Sequence, residues 1–269
     1  GNDYIFFDNM NGEITCPESL AINFADRHYG IGGDGITLIE RSDVADAKMR
    51  IFNRDGSEGR MAGNSIRCVV KYLFDNGFVK NEHMKIETLS GVKELTLYTF
   101  SGSVGSVSVN MGKAELNGKL IPSTLEGETV VAREIVVGGQ PYKVTLVNVG
   151  NPHCVVFCDK VDAVDLANVG PLFEYAAYFP QRVNAEFVRV VNPKTLKMRV
   201  WERGNGETLA CGTGAAASVV AAVLNGYCKK DEDITVKVRG GDLIARYASD
   251  GTVTLTGSAK LVFEGTVEF

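Results

Sequence analysis

The chain has 269 residues, 45% apolar and 23% charged, with a net charge of −5 and a pI near 5.4. That length allows one large domain or two small ones, with a core that needs no staples. The acidic balance excludes a broad basic field for nucleic acid or an anionic membrane, and no apolar run approaches the roughly 18 residues of a membrane span. The chain opens at Gly1 with no initiator Met and no signal-peptide pattern, which leaves a preceding targeting segment open. Six cysteines, at 16, 68, 154, 158, 211 and 228, form no C-x-x-C pair, so neither a zinc site nor a disulfide scaffold is expected. The expected compartment is the reducing cytoplasm, with most thiols acting as small buried hydrophobes.

In chain order, helical spacing predicts helices over 17–28 and 64–76. Alternation then predicts short strands at 94–98, 106–109 and 143–147. Helices over 166–173 and 213–224 follow, and then strands at 234–238 and 252–255. Glycine is abundant, at 30, and proline scarce, at 7, which favours many tight turns. The fold class is α+β, with sheets wrapped around a few helices.

The chain repeats itself. Residues 48–54, KMRIFNR, match 197–203, KMRVWER, at an offset of 149 that continues without a gap. Lys48, Met49, Arg50, Arg54, Glu58, Gly63, Val70, Asn76, Gly77 and Lys80 all recur, which is ten identities in the 33 positions from 48 to 80. Two similar halves related by pseudo-symmetry follow. Each copy reads strand, Gly-rich turn, helix, with Asn64 or Ser65 and Thr213 as N-cap candidates. Asn-Gly ends each helix, and Gly77 and Gly226 suit a left-handed position there.

A helix N-terminus presents free N–H groups and the positive end of a dipole, a natural seat for a carboxylate. Cys211 immediately precedes Gly212-Thr213-Gly214, a placement expected to favour its thiolate. Two such mouths acting on one small anion would set acid–base groups on opposite faces of a stereocentre, the arrangement that inversion requires. Cys68 is expected inside its helix as core, and Cys16, Cys158 and Cys228 as structural. His83 reads as a solvated residue of a polar loop and His28 as a cation at a helix end. His153, after the Asn151-Pro152 turn, either projects into a cleft or is structural.

The motifs that carry a resemblance span essentially the whole chain. They are Gly1-Asn2-Asp3-Tyr4, the run RHYGIGGDG at 27–35, NRDGSE at 53–58, Gly63-Asn64 and Gly150-Asn151-Pro152-His153. Arg182-Val183-Asn184 and Glu202-Arg203-Gly204 through Ala210-Cys211-Gly212-Thr213-Gly214 complete them. The chain thereby resembles the diaminopimelate epimerases, cofactor-independent amino-acid epimerases. The resemblance implies two pseudo-symmetric domains, each a mixed or antiparallel sheet wrapped around a central helix, with the site between them. The first would take residues 1–115 plus 257–269, and the second residues 116–256. It also implies a few residues ahead of Gly1.

By motif, Asn2, Asn53, Asn151, Asn184, Glu202 and Arg203 would bind the distal amino-acid end of diaminopimelate. Gly63, Asn64, Gly212 and Thr213 would hold the reacting α-carboxylate. Cys211, assisted by Glu202, would be one acid–base thiol, and His153 would assist the opposite one. The family carries that opposite cysteine where this chain has Ala62, and the repeat agrees, since 62 plus 149 is 211. A Cys→Ala substitution that traps a ligand or removes activity would explain it, and so would a natural variant with another acid or another activity. Gly35 is a second departure, where some members carry a substrate-contacting Gln. The resemblance implies no metal or cofactor, a small amino-acid substrate, no nucleic-acid or membrane partner, and a homodimer. The expected activity is interconversion of LL- and meso-diaminopimelate. The alternatives are a related racemase, such as one acting on histidine, and an inactive amino-acid-binding homologue.

Overall fold

A computed structural model describes residues 3–59 and 63–268. The chain groups into two compact units, residues 2–109 with 256–269 and residues 110–255. We call them the N-terminal and the central unit. The first contains β1 (Tyr4–Asp8), α1 (Pro17–Phe24), β2 (Gly35–Glu40), β3 (Ala47–Asn53), β4 (Glu58–Gly59), α2 (Gly63–Asp75), β5 (His83–Thr88), β6 (Gly91–Phe100) and the start of β7 (Ser103–Lys113). The second contains β8 (Arg133–Val137), β9 (Gln140–Asn148), β10 (Pro152–Phe157), α3 (Leu166–Glu174), β11 (Asn184–Asn192), β12 (Thr195–Glu202), β13 (Gly206–Thr208), α4 (Gly212–Leu224), β14 (Ile234–Val238), β15 (Gly241–Tyr247) and most of β16 (Thr252–Ser258). The class is α+β, as the alternating strands and few helices require. Among the described residues no helix is long and apolar enough to cross a membrane.

Strand pairing carries the repeat further than identity does. In the N-terminal unit the order is β1-β2-β3-β5-β6-β7, with β1 parallel to β2 and β2 antiparallel to β3. In the central unit β10, β11, β12, β14 and β15 follow in the same order and directions, and β9 and β8 extend that sheet beyond β10. Tyr4 faces Gly35 as His153 faces Asn184, and Thr37 faces Ile51 as Glu186 faces Val200. Both comparisons keep the 149 offset, so it reaches back to β1. After the helices the register slips by one: Lys48 pairs Glu87, whereas Lys197 pairs Lys237.

Alternation along the strands sorts side chains between two layers of the central unit. Val155, Val188, Met198 and Val200 pack in the core around α4. Their neighbours Cys154, Val156, Ala185 and Phe187 pack on the other face with Phe173 of α3. The same period puts His153, Glu186 and Glu202 on the α4 side. Helix α4, GTGAAASVVAAVL, is buried from Gly214 to Ala222 and packs against β9, β10, β11, β12, β14 and β15. Its small side chains let strands approach from several directions.

Both repeat helices end in the same hydrogen-bonded turn. Gly77 N–H donates to Phe74 O and Phe78 N–H to Leu73 O, and likewise Gly226 to Val223 and Tyr227 to Ala222. Gly77 and Gly226 have φ of 77° and 76°, the left-handed geometry that this turn demands.

Three expectations change. The helix read over 17–28 stops at Phe24. The Asp26 carboxylate accepts N–H groups of His28 and Tyr29, both at 2.7 Å, and turns the chain. A Cβ at Gly30 would lie 2.3 Å from Asn23 O, so this turn also needs glycine there. His28 therefore sits in an exposed turn and not at a helix end. Second, the N-cap of α4 is Cys211 and α2 begins at Gly63, which places Thr213, Asn64 and Ser65 inside the first turns. Third, Cys68 lies in α2 but is only half-buried, and Cys16 is exposed; Cys154, Cys211 and Cys228 are the buried thiols. His83 is exposed as read, but it opens β5 instead of lying in a loop.

Candidate active site

The central unit gathers its candidates at the N-terminus of α4. Cys211 has extended backbone (φ −129°, ψ 114°), and its Sγ accepts the Gly214 N–H at 3.4 Å, as an N-cap side chain should. The Thr213 hydroxyl lies 3.5 Å from the same sulfur. His153, fully buried on β10, sets Nδ1 2.7 Å from Glu186 Oε1 and Nε2 2.9 Å from Asn151 Oδ1. Asn184 donates to Pro152 O at 2.9 Å and accepts the Arg203 N–H at 2.8 Å, which ties β10 to the end of β12. Glu202 accepts the Thr208 hydroxyl. Arg203 is exposed, and its guanidinium donates to Gln181 O at 3.0 Å.

Burial dominates the electrostatics. It pushes the Cys211 thiol far above the usual thiol range, and the Glu202 and Glu186 carboxylates push the same way. Thr213 and the Gly214 N–H pull downward without prevailing. Cys211 is therefore a protonated thiol at neutral pH. The placement before a helix N-terminus was expected to favour the thiolate; here desolvation of the anion outweighs that effect. Glu202 is raised, first by burial and further by Glu186, against the lowering by Thr208 and His153.

In the N-terminal unit, Asn53 closes β3, is exposed, and donates to Ser57 Oγ at 3.0 Å. Gly63 and Asn64 open α2 and are half-buried. Arg67, one turn on, is buried and donates to Gly63 O at 2.9 Å and Ser258 O at 3.3 Å. Asp3, Arg27 and Asp34 form an exposed ion-pair cluster, with Arg27 bidentate on Asp3 at 2.7 and 3.0 Å. At Gly35 a Cβ would sit 2.0 Å from Phe52 O, so this backbone admits no side chain there. Asn2 and Ala62 lie outside the described residues. Among the described residues, no three His, Cys, Asp or Glu side chains gather as metal ligands.

The diaminopimelate epimerase family model matches residues 1–117 and 145–262. The chain belongs to the diaminopimelate epimerase family. It is 47% identical over 269 residues to the diaminopimelate epimerase of Acetivibrio thermocellus, covering 100% of this chain and 95% of that protein. The Methanococcus maripaludis diaminopimelate epimerase is 45% identical over 269 residues, covering 100% of this chain and 96% of its own. Among solved structures, a methylitaconate-delta-isomerase aligns with TM-score 0.66 at 17% identity, covering 97% of this chain and 91% of that one. A hydroxyproline epimerase from Agrobacterium vitis aligns with TM-score 0.62 at 15% identity, covering 88% and 76%. At those identities the likeness is one of fold.

Two members of the cluster escaped the motifs of the diaminopimelate epimerase family. Glu186 is fully buried, with Oε2 unpartnered among the described residues. Thr208 holds Glu202. The signal for Glu186 was in the sequence: a carboxylate inside the otherwise apolar run Ala185-Glu186-Phe187-Val188, at the alternation phase of Val188.

Proposed function

We propose that this chain is built for diaminopimelate epimerase chemistry, interconverting the LL and meso isomers by proton transfer at Cα. One observation carries the reading: a buried thiol caps α4, with His153, Glu186 and Glu202 on the same layer, in a member of this family. In this reading Cys211 is the acid–base thiol on one face of Cα, and Glu202 assists it. His153 assists the opposite position, occupied in sequence by Ala62. Gly63, Asn64, Gly212 and Thr213 hold the α-carboxylate, whose growing charge the helix N–H groups stabilise. Asn2, Asn53, Asn151, Asn184, Glu202 and Arg203 recognise the distal amino acid, rejecting substrates that would leave them unpaired. The functional halves are residues 1–115 plus 257–269 and residues 116–256. The reaction uses no cofactor or metal, in the cytoplasm, and the chain acts as a homodimer.

With alanine at 62, proton transfer proceeds from one face only. LL- or meso-diaminopimelate incubated in D₂O should take up deuterium at Cα from one isomer, with inversion nearly absent. Cys211→Ser should abolish the uptake. Because the thiol is raised, its thiolate fraction grows about tenfold per pH unit above neutrality, and uptake should rise with it. Full-rate inversion by this sequence would refute the one-base reading. Binding with no exchange at any pH would favour an inactive amino-acid-binding protein, for which Ala62 is the only sequence evidence. A panel of other amino acids, histidine included, distinguishes a related racemase.

A further inference from the structure

The motif residues leave one buried charge unexplained. Glu186, the third residue of β11, lies against the first turn of α4, and none of its surface is exposed. Oε1 lies 2.7 Å from His153 Nδ1, while Oε2 has no hydrogen-bond partner among the described residues. The helix makes room for it: a Cβ at Gly214 would stand 2.7 Å from Oε1. An isolated carboxylate in such a place is costly, and half of its hydrogen-bonding capacity is unused. The repeat shows that the fold does not require it, since the equivalent residue of the N-terminal unit is Thr37, also buried and also on the second strand.

We infer that Glu186 is a positioning residue, whose carboxylate fixes the ring orientation and the proton inventory of His153. The argument is one of hydrogen-bond valence. The His153 ring stands between two acceptors, Glu186 Oε1 at 2.7 Å and Asn151 Oδ1 at 2.9 Å. Both contacts are satisfied if the ring carries a proton on each nitrogen beside an ionised Glu186. They are equally satisfied if the Nδ1 proton passes to Oε1 and the carboxyl donates it back. In either arrangement the pair is neutral as a unit and keeps one mobile proton between its members. Nε2 is then pinned as the donor that faces Asn151, a residue of the proposed substrate set. Besides His153, the titratable groups near this carboxylate are Glu202 from β12, the Cys211 thiol at the α4 cap and the Cys154 thiol on β10. Each of these is raised first by burial and in part by Glu186, so its charge also disfavours ionisation of its neighbours.

The proton inventory can be read without any turnover. In the ¹⁵N-labelled chain, imidazole nitrogen shifts are followed through pH 5–9, about the range in which histidine ordinarily titrates. His28 and His83 are exposed and serve as internal references, and His153→Gln assigns the third set. Glu186→Gln keeps the shape and removes the charge. It should displace the His153 nitrogen signal and leave the two references in place, since the 2.7 Å contact to Nδ1 loses its charged acceptor. Glu186→Asp keeps the charge on a shorter arm and should move the signal part-way. It also serves if the Gln variant fails to fold. Unchanged His153 signals in the folded variants overturn the inference.

The kinetic consequence rests on the epimerase reading and is measured in the Ala62→Cys background. There Glu186→Gln should lower kcat about 10- to 100-fold with little change in KM, and displace a limb of the pH profile. Aspartate should restore part of that loss. A loss of kcat with the pH profile and the His153 signals both unmoved means a merely structural role. Moved signals in a background that shows no epimerisation sink the epimerase reading and leave the positioning role standing.

Discussion

The two repeat mouths share a backbone and differ in charge. At equivalent register positions the N-terminal unit has Tyr4, Thr37 and Asn53 where the central unit has His153, Glu186 and Glu202. In the helices the exchange runs the other way: Arg67 is buried in the first, and its equivalent in the second is Ala216. Among the described residues no ion pair joins Arg67 to a carboxylate, and burial lowers its pKa. One mouth is thus a cation beside a helix N-terminus. The other is two carboxylates and a histidine beside a thiol that burial, and after it the two carboxylates, hold protonated. Pseudo-symmetry supplies two matching frames, and charge diverges within them; under the proposed function that divergence would set the two acid–base positions apart.

The strongest way to break that comparison is to give the two mouths the same thiol. Ala62→Cys should raise inversion of diaminopimelate by several orders of magnitude, since a missing acid–base group typically costs 10²-fold to 10⁴-fold or more. The new thiol, which precedes Gly63 in sequence, should titrate below Cys211, whose thiol burial, Glu202 and Glu186 all raise. The pH dependence of alkylation of each thiol reads this directly. Equal reactivity of the two thiols across pH would remove the acid–base distinction, whatever the rate.

The repeat also offers a matched pair of ion pairs. Arg50 grips Glu58 at 2.7 and 3.1 Å, and Arg199 grips Glu207 at 2.9 and 3.1 Å, the same fork at an offset of 149. Their settings differ. The Arg50 side chain is 27% exposed and stacks on Phe52, whereas that of Arg199 is 7% exposed and also donates to Val161, Asp162 and Val164 carbonyls. Glu207 additionally pairs with Arg239 at 2.8 Å. Arg199→Met should therefore cost about 3–5 kcal/mol, because it leaves three carbonyls without their donor and Glu207 with Arg239 alone. Arg50→Met should cost about 1 kcal/mol. Urea unfolding of both variants gives the ratio, and equal losses would mean that burial does not set it.

Much of this frame was legible before any coordinates. The four helices, the Asn-Gly stops and the offset of 149 all come from apolar spacing and identity. Strand register was not, because identity fades before residue 48 while the hydrogen-bonded pairing keeps the offset back to Tyr4. The end of α1 was missed because Asp26 bonds its own neighbours, a local competition that apolar periodicity does not register. Cys211 was singled out by its place before a Gly-rich turn, but the pull expected there toward the thiolate does not prevail. The dipole is visible in sequence, whereas burial and the carboxylates from two distant strands are not. Glu186 was overlooked because a charged residue in a strand reads as solvent-facing until its alternation phase is compared with Val188.

The smallest effect tests the same comparison at the other end of the helices. Asn76 and Asn225 cap α2 and α4 alike, donating to Tyr72 O at 2.9 Å and Ala221 O at 2.8 Å. Asn76 is exposed, so water replaces its bond and Asn76→Ala should cost about 0.5 kcal/mol or less. Asn225 is half-buried and also donates to Thr145 Oγ1 at 2.9 Å, and Thr145 is only 1% exposed. Removing that donor leaves a buried hydroxyl with one acceptor position unfilled, so Asn225→Ala should cost about 1–2 kcal/mol. Thermal unfolding of the pair should show the larger drop for Asn225→Ala. The double variant Asn225→Ala with Thr145→Val should recover part of the loss, since no stranded hydroxyl then remains and the Ala132 N–H, which also donates to Thr145 Oγ1, belongs to an exposed residue that water can reach. Without that recovery, the asymmetry would belong to the helix turn itself and not to the sheet that surrounds α4.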